Sequence, residues 1–229
     1  MDYPFATVSE VLNDPSHSLK YWCDVLILHP NVKYCRASAS SSGDTLAVNI
    51  SQQEAAEELA ATYRVQFDYE PAITSPGYFR LKLRSDSGPL NTRDYQITLE
   101  AASLSSNRTF LHLTYAYSYG TIGRLAMKGY LATFGHGKIG FTTITDPSAA
   151  QPKYVDGVRG LVERNTMRYY LAIDTFLGEP PSLPDERLEQ RLNNWFSASE
   201  QYSQQLHEID RQQYVQMKQE EYRRQQAGP

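Results

Sequence analysis

The chain has 229 residues and a mass of 26.0 kDa, with 41% hydrophobic and 21% charged residues, so it can bury a sizeable core without metal or disulfide staples. A formal net charge of -4 and a pI near 5.8 argue against a nucleic-acid surface that works by general phosphate neutralisation, leaving room only for a local basic patch. No run approaches the ~18 apolar residues of a membrane span.

Residues 1–36 read as helical pieces. Thr7 caps a short helix through Leu12, which Asn13-Asp14-Pro15 stops, and Trp22 to Leu28 is a second apolar stretch ended by His29-Pro30. Met1 is followed at once by Asp2-Tyr3-Pro4, with no signal-peptide pattern, although a mature periplasmic protein with an added start Met would read the same way. Only Cys23 and Cys35 are present. That excludes a multi-bridge scaffold and a four-cysteine zinc site, and leaves two readings open: one bridge in an oxidising compartment, or two buried free thiols. Ser38 to Asp44 is a Ser-rich loop around Gly43.

A strand-rich stretch follows. Leu46, Val48 and Ile50 alternate with polar or small residues, and Gln52 to Ala61 reads as a short helix. Alternation resumes at Tyr63 to Tyr69, Phe79 to Leu83, Tyr95 to Leu99 and Leu111 to Tyr119. Charges on one side of that alternation mean a sheet with one wet face. Pro71, Pro76-Gly77, Ser87-Gly88-Pro89 and Ser105-Ser106-Asn107 punctuate the runs as antiparallel connections do. Thr121 to Phe134 reads as a helix with Gly135 at its end, and Ile139 to Ile144 as the last strand. Asp156 to Leu177 is the clearest helix, ended by Gly178 and Glu179-Pro180-Pro181, and is the natural cover for the sheet. From Asp185 to Pro229 the chain turns polar. Leu188, Leu192, Trp195, Tyr202, Leu206 and Ile209 form a narrow apolar seam, expected to pack on the body or on a second copy, or to dock a partner. Beyond Ile209 the seam fades and the end is expected to fray.

Few residues suggest chemistry. Gly135-His136-Gly137-Lys138 lacks the upstream Gly and the following Ser/Thr of a phosphate loop and reads as a turn. His112 lies mid-strand and reads as a polar-face residue. The five histidines show no ligand spacing, and no metal or cofactor is implied. On the long helix, Arg159 and Glu163 have i,i+4 spacing, Arg164 and Arg168 are expected in water, and Asn165 falls on the apolar stripe. The chain holds 17 Tyr, and three of them, Tyr115, Tyr117 and Tyr119, alternate on one strand. Burying three hydroxyls needs partners, which either a packed core or a partly hydrated pocket can supply.

Helices, an antiparallel sheet and one long C-terminal helix, with Trp22-Cys23-Asp24-Val25-Leu26 early, Gly140-Phe141-Thr142 after the Gly-rich turn and Gly160 to Leu171 late, resemble the START-like helix-grip superfamily, which includes lipid-transfer domains, polyketide cyclases and Bet v 1 allergens. More narrowly, these segments are similar to an uncharacterised bacterial group. The resemblance covers about residues 3–178. It implies an α+β fold, a curved antiparallel sheet wrapped around the long helix with a hydrophobic cavity between them. Residues 179–229, a Pro-rich linker and polar helical tail, have no counterpart in the superfamily's common core. The Gly-rich loop of the plant allergens is absent, and no cyclase catalytic residue can be matched. Such relatives often look exported, which points to a periplasmic or secreted protein, the cytoplasm being the alternative.

Three functions follow as expectations. The first is a carrier for an apolar or amphipathic small molecule such as a lipid. The second is a cyclase- or hydrolase-type enzyme in the same cavity, and the third an interaction protein with a filled core and a docking tail. For the carrier, Phe79, Leu81, Ile97, Leu99, Leu113, Tyr115 and Tyr117 of the sheet are expected to face Val162, Asn165, Tyr169 and Ala172 of the helix and line the ligand site.

Overall fold

A computed structural model describes residues 1–13, 18–41, 43–51, 58–133, 135–144, 153–179 and 184–228. The fold is α+β. Helices α1 (Phe5–Asn13) and α2 (Ser18–Leu26) precede six strands, β1 (Val32–Ser38), β2 (Asp44–Ile50), β3 (Tyr63–Ser75), β4 (Tyr78–Ser87), β5 (Thr92–Ser105) and β6 (Arg108–Tyr119). These form one antiparallel sheet in sequential order β1-β2-β3-β4-β5-β6. Helix α3 (Thr121–Ala132), the two-residue strands β7 (Thr143–Ile144) and β8 (Lys153–Tyr154), and helices α4 (Gly157–Leu177), α5 (Pro184–Glu200), α6 (Ser203–Leu206) and α7 (Arg211–Ala227) complete the chain.

Register carries the alternation across the sheet. Leu81 pairs with Leu99 and Leu99 with Leu113; Leu83 pairs with Ile97 and Ile97 with Tyr115. Side chains directly opposite share a face, so these rows build one continuous apolar surface. Outside, His112 Nδ1 lies 3.1 Å from Glu100 Oε2, and Tyr78 donates its hydroxyl proton to Glu100 Oε1. His112 is thus an exposed polar-face residue.

Several expectations need correction. Val32 to Arg36 belongs to β1 and is not helical. Val32 to Cys35 are all buried, because α7 packs on the back of this strand, and burial on both faces erases the two-residue period. Strand β3 runs through Pro71 instead of ending there, with a register shift between Pro71 and Thr74. Of the stretch from Ile139 to Ile144, only Thr143 and Ile144 form a strand, and they pair with Lys153 and Tyr154 outside the main sheet. Residues 52–57 of the expected helix at 52–61 lie outside the described residues, and 59–61 form a single 3-10 turn. Of the expected helix breaks, Asp14-Pro15 and Pro180-Pro181 also lie outside them.

The tail differs most. Its end does not fray: α7 continues to Ala227, and Tyr214, Met217, Lys218 and Glu221 are buried on it. Of the sites expected for the seam, the body, a second copy or a partner, the structure shows the body. Leu192, Trp195, Leu206 and Ile209 are buried in the same core cluster as α1, α2 and the sheet, Leu188 is half-buried against it, and Tyr202 is exposed. The hydrophobic core therefore does not stop at residue 178. Trp195 stacks on Tyr214 with ring centroids 5.0 Å apart, and Tyr214 donates to Leu28 O at 2.8 Å.

Candidate functional site

Between the sheet and α4 lies a cavity of about 900 Å³. The sheet wall carries Val48, Val65, Phe67, Leu81, Leu83, Tyr95, Ile97, Leu99, Leu113, Tyr115 and Tyr117. Trp22, Val25 and Leu26 of α2 and Met127 and Tyr130 of α3 close two sides, and Leu161, Val162, Asn165, Thr166, Tyr169 and Ile173 of α4 close a third. Nine of the eleven residues expected at the site thus line one space. Phe79 and Ala172 do not. Phe79 is fully buried with its ring 5.9 Å from that of Phe5, under α1, and Ala172 is fully buried off the lining.

The lining missed by sequence reasoning comes mostly from α2, α3 and the first strands. Tyr95 had a signal, since it heads the alternation of β5. It sits where Gly88 lets it: a Cβ on Gly88 would collide with the Tyr95 ring. Tyr95 shares a hydrogen bond with Thr92 Oγ1 at 2.6 Å and stacks on Tyr117 at 5.3 Å. Burial holds the phenols of Tyr95 and Tyr115 protonated, and pushes those of Tyr117 and Tyr169 up to about 12. They are neutral hydroxyl groups at any ordinary pH.

His29 also belongs to the wall. Its Nδ1 accepts from the Asn31 N–H at 3.1 Å, and its ring lies 4.9 Å from that of Tyr169. Burial, then Arg168 and Lys218, pushes the imidazole well below its ordinary pKa, so it is uncharged. Among the described residues, the lining carries no Asp, Glu, Lys or Arg.

The charges stand behind the wall. Arg164 and Arg168, expected in water, are 1% and 2% exposed. Their face of α4 is covered by elements whose approach the sequence pattern does not reveal. Arg168 pairs with Glu208 at 2.9 Å and donates to Leu206 O at 3.3 Å; Arg164 donates to Ile139 O at 3.3 Å. Burial pushes the Glu208 carboxyl up, but Arg168 and Lys138 outweigh it and hold the group at about 2. The Gly-rich turn sends Lys138 to Glu208 at 2.7 Å, a tie between body and tail. Glu163 has a structural task as well. It pairs with Arg159 at 3.0 Å and accepts from the N–H groups of Phe141 and Thr142 at 2.7 and 2.8 Å. Gly140 allows that contact, since a Cβ there would lie 2.6 Å from Glu163 Oε2 and 2.9 Å from Gly160 Cα.

Cys23 and Cys35 form a disulfide between α2 and β1. Among the described residues no group of three or more His, Cys, Asp or Glu could hold a metal ion, and no helix is long and apolar enough to cross a membrane. No protein-family model, no curated protein and no solved structure matches this chain.

Proposed function

We propose that the protein is a binding or carrier module for an apolar or amphipathic small molecule such as a lipid, held in the cavity between sheet and α4. The observation that carries this reading is the cavity itself. Its volume of about 900 Å³ lies within the ~300–1,000 Å³ of small-molecule sites, and its wall is mostly apolar with a few placed polar groups. The helix-grip arrangement, a sheet wrapped around α4, belongs to the same proposal: the element order and the cavity support it. The Cys23–Cys35 bridge supports export to an oxidising compartment. An enzyme would need an acid–base pair on the wall, whereas the described lining offers one neutral imidazole and no carboxylate, so binding is the better-supported reading.

Titration with the neutral fluorophore N-phenyl-1-naphthylamine tests the proposal. Saturable one-site binding is expected, and Tyr115→Trp should abolish it while thermal melting stays cooperative, because the indole fills space that is empty in the wild type. No saturable binding to the wild type, together with a loss of stability in the variant of about 1–3 kcal/mol, would mean that the two walls pack as a solid core.

A further inference from the structure

We infer that the cavity selects an uncharged, oxygen-bearing ligand, such as a long-chain alcohol, ketone or ester, over the anion of a fatty acid. This inference rests on the carrier reading above and narrows it to a ligand class.

Two observations support it. The first is the separation of charge from cavity. Arg168 lies one turn from Asn165 and next to Tyr169 in sequence, yet its guanidinium is engaged by Glu208 at 2.9 Å, by Leu206 O at 3.3 Å and by Asn165 Oδ1 at 3.5 Å. Lys218 is engaged by His29 O, Val32 O and Glu221 Oε2, each at 2.7 Å. Both cations are turned to protein acceptors, and His29 beside them is neutral. A carboxylate entering the cavity would lose its hydration and meet no free counter-charge on the described wall, which is strongly unfavourable.

The second observation is the hydroxyl set. Tyr117 on β6 and Tyr169 on α4 both line the cavity, and neither hydroxyl has a hydrogen-bond partner among the described residues. Tyr95, stacked on Tyr117, has its hydroxyl taken by Thr92. Protonated phenols donate well to a carbonyl, ether or alcohol oxygen and can accept from an alcohol. The wall therefore provides directed contacts for a neutral oxygen and an apolar surface for the chain attached to it. A plain hydrocarbon would leave both hydroxyls unmet.

Displacement of N-phenyl-1-naphthylamine by 2-dodecanone, 1-dodecanol, 1-dodecene and dodecanoate at pH 8 tests this with chains of matched length. The ketone and the alcohol should displace the fluorophore at concentrations at least about tenfold lower than dodecanoate, and lower than the alkene, the scale of one or two net hydrogen bonds. Tyr117→Phe and Tyr169→Phe keep the rings and remove the hydroxyls. Each should narrow the preference for the ketone over the alkene several-fold without lowering the melting temperature. Dodecanoate binding as well as the ketone would overturn the inference and leave the carrier reading standing, since it would show that a cation, Arg168 first, reaches the ligand. Equal binding of ketone and alkene that the Phe variants do not alter would overturn it too. No fluorophore binding at all would remove the carrier reading and this inference together.

Discussion

Glu221→Gln is the sharpest test of how α7 is held. Glu221 lies between two lysines, with Oε1 3.2 Å from Lys33 Nζ and Oε2 2.7 Å from Lys218 Nζ, and all three side chains have 0% exposure. Burial lowers the Lys218 pKa from 10.5 to about 8; Glu221 works against that drop and Lys33 adds to it. The drop corresponds to about 3 kcal/mol carried by the protonated form at neutral pH, even with the carboxylate in place. Removing the carboxylate leaves two buried ammonium groups facing each other, and breaking such a buried cluster costs about 3–5 kcal/mol. The sign with pH follows from linkage. Between about 8 and 10.5 the unfolded chain holds the Lys218 proton and the folded one has shed it, so stability rises with pH. Above 10 the unfolded tyrosines ionise while Tyr117 and Tyr169, raised to about 12, do not, and stability falls again. In Glu221→Gln the rise should start at lower pH and be larger, so the deficit at pH 7 should shrink by pH 9.5. Urea unfolding of both proteins at the two pH values measures it. A deficit below about 1 kcal/mol, or one equal at both pH values, would refute the reasoning. The triple variant Lys33→Met, Lys218→Met and Glu221→Leu, which leaves no charge of this cluster buried, should recover much of the loss.

Truncation after Gly178 should abolish cooperative melting. It removes Leu192, Trp195, Phe196, Leu206, Ile209, Tyr214 and Met217 from the core, at roughly 1.5–3 kcal/mol each, against the ~5–15 kcal/mol of a whole domain; a truncated protein that melts cooperatively would show that the tail is dispensable. Replacing both cysteines with Ser should lower stability by roughly 2–3 kcal/mol for a separation of 12 residues, and thiol labelling of the unfolded, unreduced wild type should find no free thiol. Gly88→Ala should push the Tyr95 ring off its seat and weaken N-phenyl-1-naphthylamine binding more than it lowers the melting temperature; an unchanged affinity would mean that Tyr95 is not part of the occupied wall. Acid unfolding should have a limb between about pH 4.5 and 2, where Glu208 takes a proton in the unfolded state before the folded one, and Glu208→Gln should flatten that limb.

The main sheet was legible because its strands keep one wet face. Along β4 from Phe79 to Leu83 the two-residue period matches the observed burial, and the register of β4, β5 and β6 then brings Leu81, Leu99 and Leu113 into one row. Helix α4 was legible for the mirror reason, a stripe of apolar residues at helical spacing. What escaped was everything covered on more than one side. Val32 to Cys35 alternate poorly because both faces of β1 are buried, and Lys33 in a core position looks like a surface residue. Arg164 and Arg168 read as solvated charges, and Lys218 and Glu221 fall in a tail that reads as polar, since nothing local says that partners 25, 40 or 189 residues away will meet them. Phe79 shares the phase of the lining rows, but α1 reaches its end of the sheet, a fact of topology and not of periodicity.

These misses and the cavity have a common physical origin. A domain with about 900 Å³ of space at its centre forgoes the contacts that a close-packed middle would make. Its stability must come from elsewhere, and the structure shows where. Trp195 and Tyr214 stack beneath Leu28, Lys218 and Glu221 anchor α7 to the turn before β1, and Glu208 ties the tail to Arg168 and Lys138. These contacts extend the one core to the side of β1 and α4 away from the cavity. A shell braced from outside can keep its inner face free for a ligand. On that reasoning the polar tail is the brace, and substitutions that loosen it should reduce ligand binding without touching the cavity wall.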